Sequence, residues 1–353
     1  MGNPNKSSTL LDMFQHPVFR VKDGVVSEVN HTAEALGIKS GAPVDALLPH
    51  CLDAYRAYEG GCLSLTVATD CVSFIATVLR TEDGDVFHLR SQEATPELQM
   101  MTLAAQQLRG PLSEVMTAVE AVFEKEDIQD RQQIGLINRG LFRLLREIGN
   151  MSSIASYQKG RAYGKETRNI VGIINEIVKK ASHLCSTSGQ KLQYTALNDE
   201  IYCPVDTEMV ERAIYNLISN AIKYSPANTP IIVKLSRKKD KLLFCVESQC
   251  TDKALTQGNL FMRYVRDASV EDGRHGLGLG IPLIQCAAAA HNGALLMDHP
   301  ATDTVRFTLT LSTLSDRGSV LKAPYPTFDY IGGWDHGLVE LSDVLPASAF
   351  ENE

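Results

Sequence analysis

The chain has 353 residues, 44% hydrophobic and 22% charged, the balance of an ordinary globular protein and not of a disordered or fibrous one. Its 34 Lys and Arg against 42 Asp and Glu leave a formal charge of −8. That excludes a general nucleic-acid binder, because neutralising phosphates needs a surplus of cations. The longest nearly apolar run, Ile281 to Ala290, falls far short of the ~20 residues of a spanning helix.

The polar opening Met1 to Ser8 lacks the charged and then apolar pattern of a secretory leader, and Lys6 stands where a Met-Gly acylation signal wants Ser or Thr. A cytoplasmic protein without membrane insertion is expected. Residues 9–93 read as a small α+β module. Pro17 to Val21 and Val25 to Asn30 flank Lys22-Asp23-Gly24 as a hairpin. Ala33 to Leu48 has helical intervals, and Cys62–Leu65, Ser73–Leu79 and Val86–Arg90 alternate as strands. This order, with Pro17-Val18-Phe19, Gly24, Val29-Asn30 and Ala33 to Gly37, resembles a PAS domain. The resemblance implies a sensor module.

Residues 95–157 are poor in Gly and Pro. Leu98, Met101, Leu108, Leu112, Val115, Val119 and Val122 share one helical register; Ile134, Ile137, Leu141, Leu144, Leu145, Ile148 and Met151 form another, close to a heptad. The charged stretch Glu124 to Arg131 marks a turn, and Pro111 should kink the first helix. Two long helices with one apolar stripe each cannot cover it alone. A helical hairpin that pairs with a second copy into a four-helix bundle is expected, and hence a homodimer.

Residues 165–312 read as an α/β sandwich. Helices are expected at Ile170–Ala181, Asp206–Tyr224 (Asp206 as N-cap) and Ile281–His291, the last ending on Asn292-Gly293. Strands are expected at Gln190–Ala196, Ile201–Val205, Pro230–Leu235, Lys241–Val246 and Thr304–Leu311. Tyr157 to Lys165 reads as a linker. Arg237, Lys238, Lys239 and Lys241 form a basic hairpin tip, and residues 313–353 a C-terminal tail with a short helix over Leu338–Leu345. Eight Cys, at 51, 62, 71, 185, 203, 245, 250 and 286, include no C-x-x-C pair and several lie in apolar runs, which reads as buried thiols.

Helix 206–224 carries the chemistry. Ile214, Leu217, Ile218 and Ala221 make its apolar stripe, while Asn216, Asn220, Lys223 and Tyr224 lie opposite. Asn is a poor helix former, so two of them four apart are costly on a merely solvated face. An amide oxygen can ligate a hard cation, Lys can meet phosphate and Tyr can stack on a base. Farther on, Gly276-Leu277-Gly278-Leu279-Gly280 opens into a helix, where bare backbone and free N–H groups make an anion cradle. No Gly-Lys-Ser/Thr follows, which excludes a Walker-type loop.

Asn216 to Pro226 resembles the N box of histidine kinases, Leu260 to Tyr264 their F box, and Gly276 to Leu279 with Ile281 their second glycine box. Leu108-Arg109-Gly110-Pro111-Leu112 resembles the end of their phosphoacceptor motif. The resemblance implies a Bergerat-type ATPase domain that binds ATP and Mg2+ and a sensor histidine kinase of two-component signalling, with a response regulator or another histidine kinase as partner. It implies Asn216 and Asn220 at the phosphates with Asn220 on the metal, Lys223 at phosphate, Tyr224 at adenine, and Gly276 and Gly278 in the lid. Three departures stand against it. Gln106 and Gln107 occupy the places of the acceptor His and its acidic neighbour, and a carboxamide nitrogen, delocalised into its carbonyl, cannot accept a phosphoryl group. Ser248 replaces the Asp that accepts a hydrogen bond from the adenine amino group, a bond its hydroxyl could still accept without charge assistance, and Cys250 replaces a Gly. These departures predict a pseudokinase that acts by binding. An active kinase or regulator phosphatase with its acceptor elsewhere, and a nucleotide-gated switch, remain the alternatives.

Overall fold

In the computed structural model, residues 10–69, 72–90, 131–158, 165–187, 189–250, 279–314 and 334–351 are described, together with helical positions 108, 112, 115, 116 and 119. Asp23 (φ 52°) and Gly24 (φ 77°) take the left-handed backbone that a two-residue hairpin turn requires, and they join β1 (Val18–Lys22) to β2 (Val25–Val29). The expected helix over 33–48 is instead two short ones, α1 (His31–Ala35) and α2 (Val44–Leu47). Gly37 (φ 85°) and Gly41 (φ 86°), followed by Pro43, end the helical path between them. A third short helix, α3 (Leu52–Arg56), leads into β3 (Cys62–Ala68), β4 (Ser73–Thr81) and β5 (Gly84–Arg90).

The second half opens with α4 (Arg131–Gln158), a helix of 28 residues. Then come β6 (Glu166–Asn169), α5 (Ile170–Thr187), β7 (Leu192–Thr195) and β8 (Tyr202–Val205). The Asp206 side chain accepts from the Met209 N–H at 3.0 Å, the N-cap read from the sequence, and starts α6 (Thr207–Tyr224). Strands β9 (Ile231–Lys238) and β10 (Lys241–Gln249) meet at Lys239 (φ 54°). After them come α7 (Gly280–Ala290), β11 (Leu295–Asp298), β12 (Thr304–Ser312) and α8 (His336–Leu341), with a final 3-10 turn at Ala347–Phe350. Among the described residues no helix is long and apolar enough to cross a membrane.

Among the described residues ten strands form one sheet in the order β2-β1-β5-β4-β3-β11-β12-β10-β9-β7. The N-terminal module and the later α/β part are therefore joined at a seam, β3 against β11, with Ser64, Leu63 and Cys62 opposite Leu295, Leu296 and Met297. Gly61 makes the seam possible. Its φ is 84°, and a Cβ there would stand 2.2 Å from the Met297 carbonyl oxygen. Alternation along β3 feeds two cores: Leu63, Leu65 and Val67 face the core built with α1–α3, while Cys62 faces the larger core of α5, α6 and α7.

Candidate functional site

On α6 the side chains of Arg212, Asn216, Ser219 and Lys223 recur at spacings of four, three and four and so share one face. Asn216 is 1% exposed and Ser219 is fully buried, so the helix is buried on both its apolar and its polar sides. The sequence reading left the polar side open for a ligand; instead α4 and the chain's C-terminal segment cover it. Arg146 of α4 donates through Nη2 to Asn216 Oδ1 at 3.0 Å and to Ser219 Oγ at 3.4 Å. The other half of the Asn216 amide, Nδ2, donates to the Arg212 carbonyl at 2.8 Å.

Two carboxylates close the face from the C-terminal side. Asp343 pairs with Arg146 and with Lys223, and accepts from Ser219 Oγ at 3.0 Å. Glu340, wholly buried, accepts from Arg212 Nη1 at 2.6 Å and lies 3.8 Å from Arg146 Nε. Glu208, half exposed, takes the outer side of the Arg212 guanidinium at 3.1 Å. His336, at the start of α8, lies 3.0 Å from Glu211. Arg146, Arg212 and Lys223 thus each have a carboxylate partner around one helix face, which is how buried charge is tolerated. Burial pushes the Asp343 carboxyl up, but Arg146 and Lys223 outweigh it and hold the group below the ordinary carboxylate range. Arg146 is raised for the same reason, its desolvation outweighed by Asp343 and Glu340. Gly149 is where α4 meets this cluster: a Cβ there would stand 2.4 Å from Arg212 Nη1.

Of the residues singled out from sequence, Asn216, Asn220, Lys223 and Tyr224 come together on or beside this face. A Cβ on Gly280 at the start of α7 would stand 3.0 Å from Asn216 Oδ1 and 3.8 Å from Asn220 Nδ2, so both amides border that helix start. Tyr224 is half-buried against the main core. Ser248 is 9% exposed on β10 opposite Val305 of β12, and the Cys250 N–H donates to the Asp303 carbonyl at 2.7 Å. Gln106, Gln107, the F-box stretch 260–264, Gly276 and Gly278 lie outside the described residues. Sequence reasoning missed Arg146, Glu340 and Asp343. Arg146 carried a signal, because a cation in the apolar register of Phe142, Leu145 and Gly149 requires a buried partner.

Asn216, Ser219 and Lys223 on this face already have protein partners. Both ends of the Asn216 amide and the Lys223 and Ser219 donors are engaged by the protein itself, and entering phosphates would meet the Asp343 and Glu340 carboxylates.

Residues 205–314 match the family model described as histidine kinase-, DNA gyrase B-, and HSP90-like ATPase, and so define an ATPase-type domain. The sensor protein KdpD of Clostridium acetobutylicum is 26% identical over 53% of this chain and 21% of its own length. The probable sensor protein PcoS of Escherichia coli is 30% identical over 57% of this chain and 44% of its own. Full-length ShkA, crystallised with AMPPNP, superposes with a TM-score of 0.47 at 16% identity, covering 62% of this chain and 47% of that one. The chain is thus similar to sensor histidine kinases, and it spans less than half the length of these two curated relatives.

Proposed function

We propose that this protein is a degenerate sensor histidine kinase that signals by regulated protein binding and does not phosphorylate itself. One observation carries the reading: residues 95–157 contain no histidine, and Gln106 stands where the family resemblance puts the phosphoryl acceptor. An imidazole nitrogen can take a phosphoryl group; an amide cannot.

In this reading residues 9–93 are a PAS-like sensor, supported by the order β2-β1-β5-β4-β3 of their strands. Residues 95–157 pair with a second copy. Leu136, Ile137 and Leu144, exposed on α4 at close to heptad spacing, support that pairing. Residues 165–312 supply the ATPase-like body, and 313–353 include the segment that covers it. The partner is a response regulator or another histidine kinase, docking on the hairpin near Arg109. The test is incubation with ATP labelled in the γ-phosphate and Mg2+, using the unmodified chain and a Gln106→His variant. The unmodified chain is expected to stay unlabelled; label on it would refute the proposal.

A further inference from the structure

The carboxylates that close the face of α6 come from residues 334–351, beyond the matched stretch 205–314. This segment is built into the core. Trp334, Leu338, Val339, Leu341, Leu345 and Phe350 are all buried in the cluster that contains α5, α6 and α7. The segment is also tied to α4: Asn138 Nδ2 donates to the Phe350 carbonyl at 3.1 Å and Arg139 Nε to the Ser342 carbonyl at 3.2 Å. Two glycines allow the close approach. A Cβ on Gly135 of α4 would stand 2.4 Å from the Ala347 carbonyl oxygen, and one on Gly337 would stand 2.9 Å from the Tyr215 hydroxyl. Asp335 caps α8, accepting from the Leu338 N–H at 3.1 Å.

We propose that Asp343 is the resident anion of the N box helix: its carboxylate holds Lys223, Ser219 and Arg146 in the role that a phosphate would otherwise fill, and the segment carrying it is a permanent occupant of that face. The inference rests on the reading of α6 as the N box helix. Two guanidinium or ammonium cations converging with a hydroxyl are the chemistry that recognises a phosphate or diphosphate. A carboxylate on the same three groups satisfies them without a ligand. The segment is not a lid, because displacing it would expose six buried apolar side chains together with two carboxylates and their cations, a larger loss than a micromolar ligand can offset.

Removing the charge of Asp343 while keeping its shape should therefore leave Lys223 and Arg146, beside Ser219, with unmatched positive charge that an added polyanion can neutralise. The experiment compares thermal unfolding of the full chain and its Asp343→Asn variant, in millimolar inorganic pyrophosphate and in sodium chloride of equal ionic strength. The unmodified chain should show the same Tm in both. Asp343→Asn should lose about 5 °C or more in chloride, since Arg146 and Lys223 lose a buried anionic partner, and pyrophosphate should restore about half of that loss. The proposal is overturned if pyrophosphate stabilises the unmodified chain as much as the variant, or if the variant keeps the original Tm. It is equally overturned if the variant loses stability and no anion restores any of it. Hydrogen exchange on the unmodified chain tests the same claim even if the variant does not fold. Protection of the Leu338–Asp343 amides should not change with magnesium ADP, and deprotection by ADP would show a displaceable lid and overturn permanence. Neither readout detects phosphate on the chain, so a failure of the function proposed above, scored by label, is distinguishable from a failure here.

Discussion

Arg212 allows a sharp test of the buried cluster, because its guanidinium holds two carboxylates at similar distance in different surroundings. Glu340 lies 2.6 Å away with a side chain 0% exposed, and Glu208 lies 3.1 Å away with a side chain 50% exposed. Coulomb attraction at these separations is several kcal/mol at an effective dielectric constant of about 20, and falls to about 1 kcal/mol in water. Glu340→Gln keeps the shape and one acceptor oxygen but leaves Arg212 and Arg146 short of a buried anion. A loss of about 3 kcal/mol is expected, the lower end for breaking a buried pair. Glu208→Gln removes a screened contact and a favourable charge from the first turn of α6, for about 1 kcal/mol in all. Urea denaturation followed by tryptophan fluorescence measures both. The chain's one Trp, Trp334, is 6% exposed with its ring 6.4 Å from that of Phe142, so its emission reports the contact between α4 and the C-terminal segment. In about 1 M salt, where the Debye length is ~3 Å, the Glu208 effect should largely vanish and the Glu340 effect should persist. Equal losses for the two variants, or a Glu340 effect erased by salt, would refute the reasoning.

Three further outcomes follow from other parts of the molecule. His291 is buried, its Nδ1 donating to the Ala287 carbonyl at 2.8 Å and its Nε2 accepting from the Asp206 N–H at 3.0 Å; burial lowers its pKa from 6.5 to about 4. Between those values the unfolded chain takes up a proton that the folded one refuses, so stability should fall as pH drops from 6.5 towards 4. His291→Gln should flatten that slope by one proton, and an imidazole carbon shift that titrates near 6.5 in the folded protein would contradict the assignment. Gly61→Ala forces a Cβ against the Met297 carbonyl at positive φ, which should cost about 1–3 kcal/mol and deprotect the β3–β11 amides in hydrogen exchange; unchanged protection would deny the seam. Replacing Ile137 and Leu144 of α4 with Lys should raise the dimer dissociation constant by about a hundredfold or more in sedimentation, and an unmodified chain that sediments as a monomer would remove the dimer.

How far the sequence could be read follows the range of each interaction. Local signals were clear: the Asp23-Gly24 turn, the Asp206 cap and the Asn292 stop after α7 each act within a few residues. The break between α1 and α2 was missed because Gly37 and Gly41 disturb the helical spacing less than they disturb the backbone. β11 was missed because Leu295 to Asp298 is too short to show alternation, and the seam because main-chain groups make it and leave no side-chain signature. The polar stripe of α6 was rightly judged too costly for a solvated face. Its partners were misjudged, since Arg146, Glu340 and Asp343 come from positions 66 or more residues away from Arg212 along the chain, and only the folded structure brings them together.

Calorimetric titration of magnesium ADP into the unmodified protein most directly tests whether this chain lacks the nucleotide chemistry of the proteins it resembles. With Ser248 in place of a charged adenine contact worth ~1.5–3 kcal/mol, and with Asn216 and Lys223 already engaged, the expected result is a dissociation constant above about 100 µM or no heat at all. Sub-micromolar binding would contradict the account.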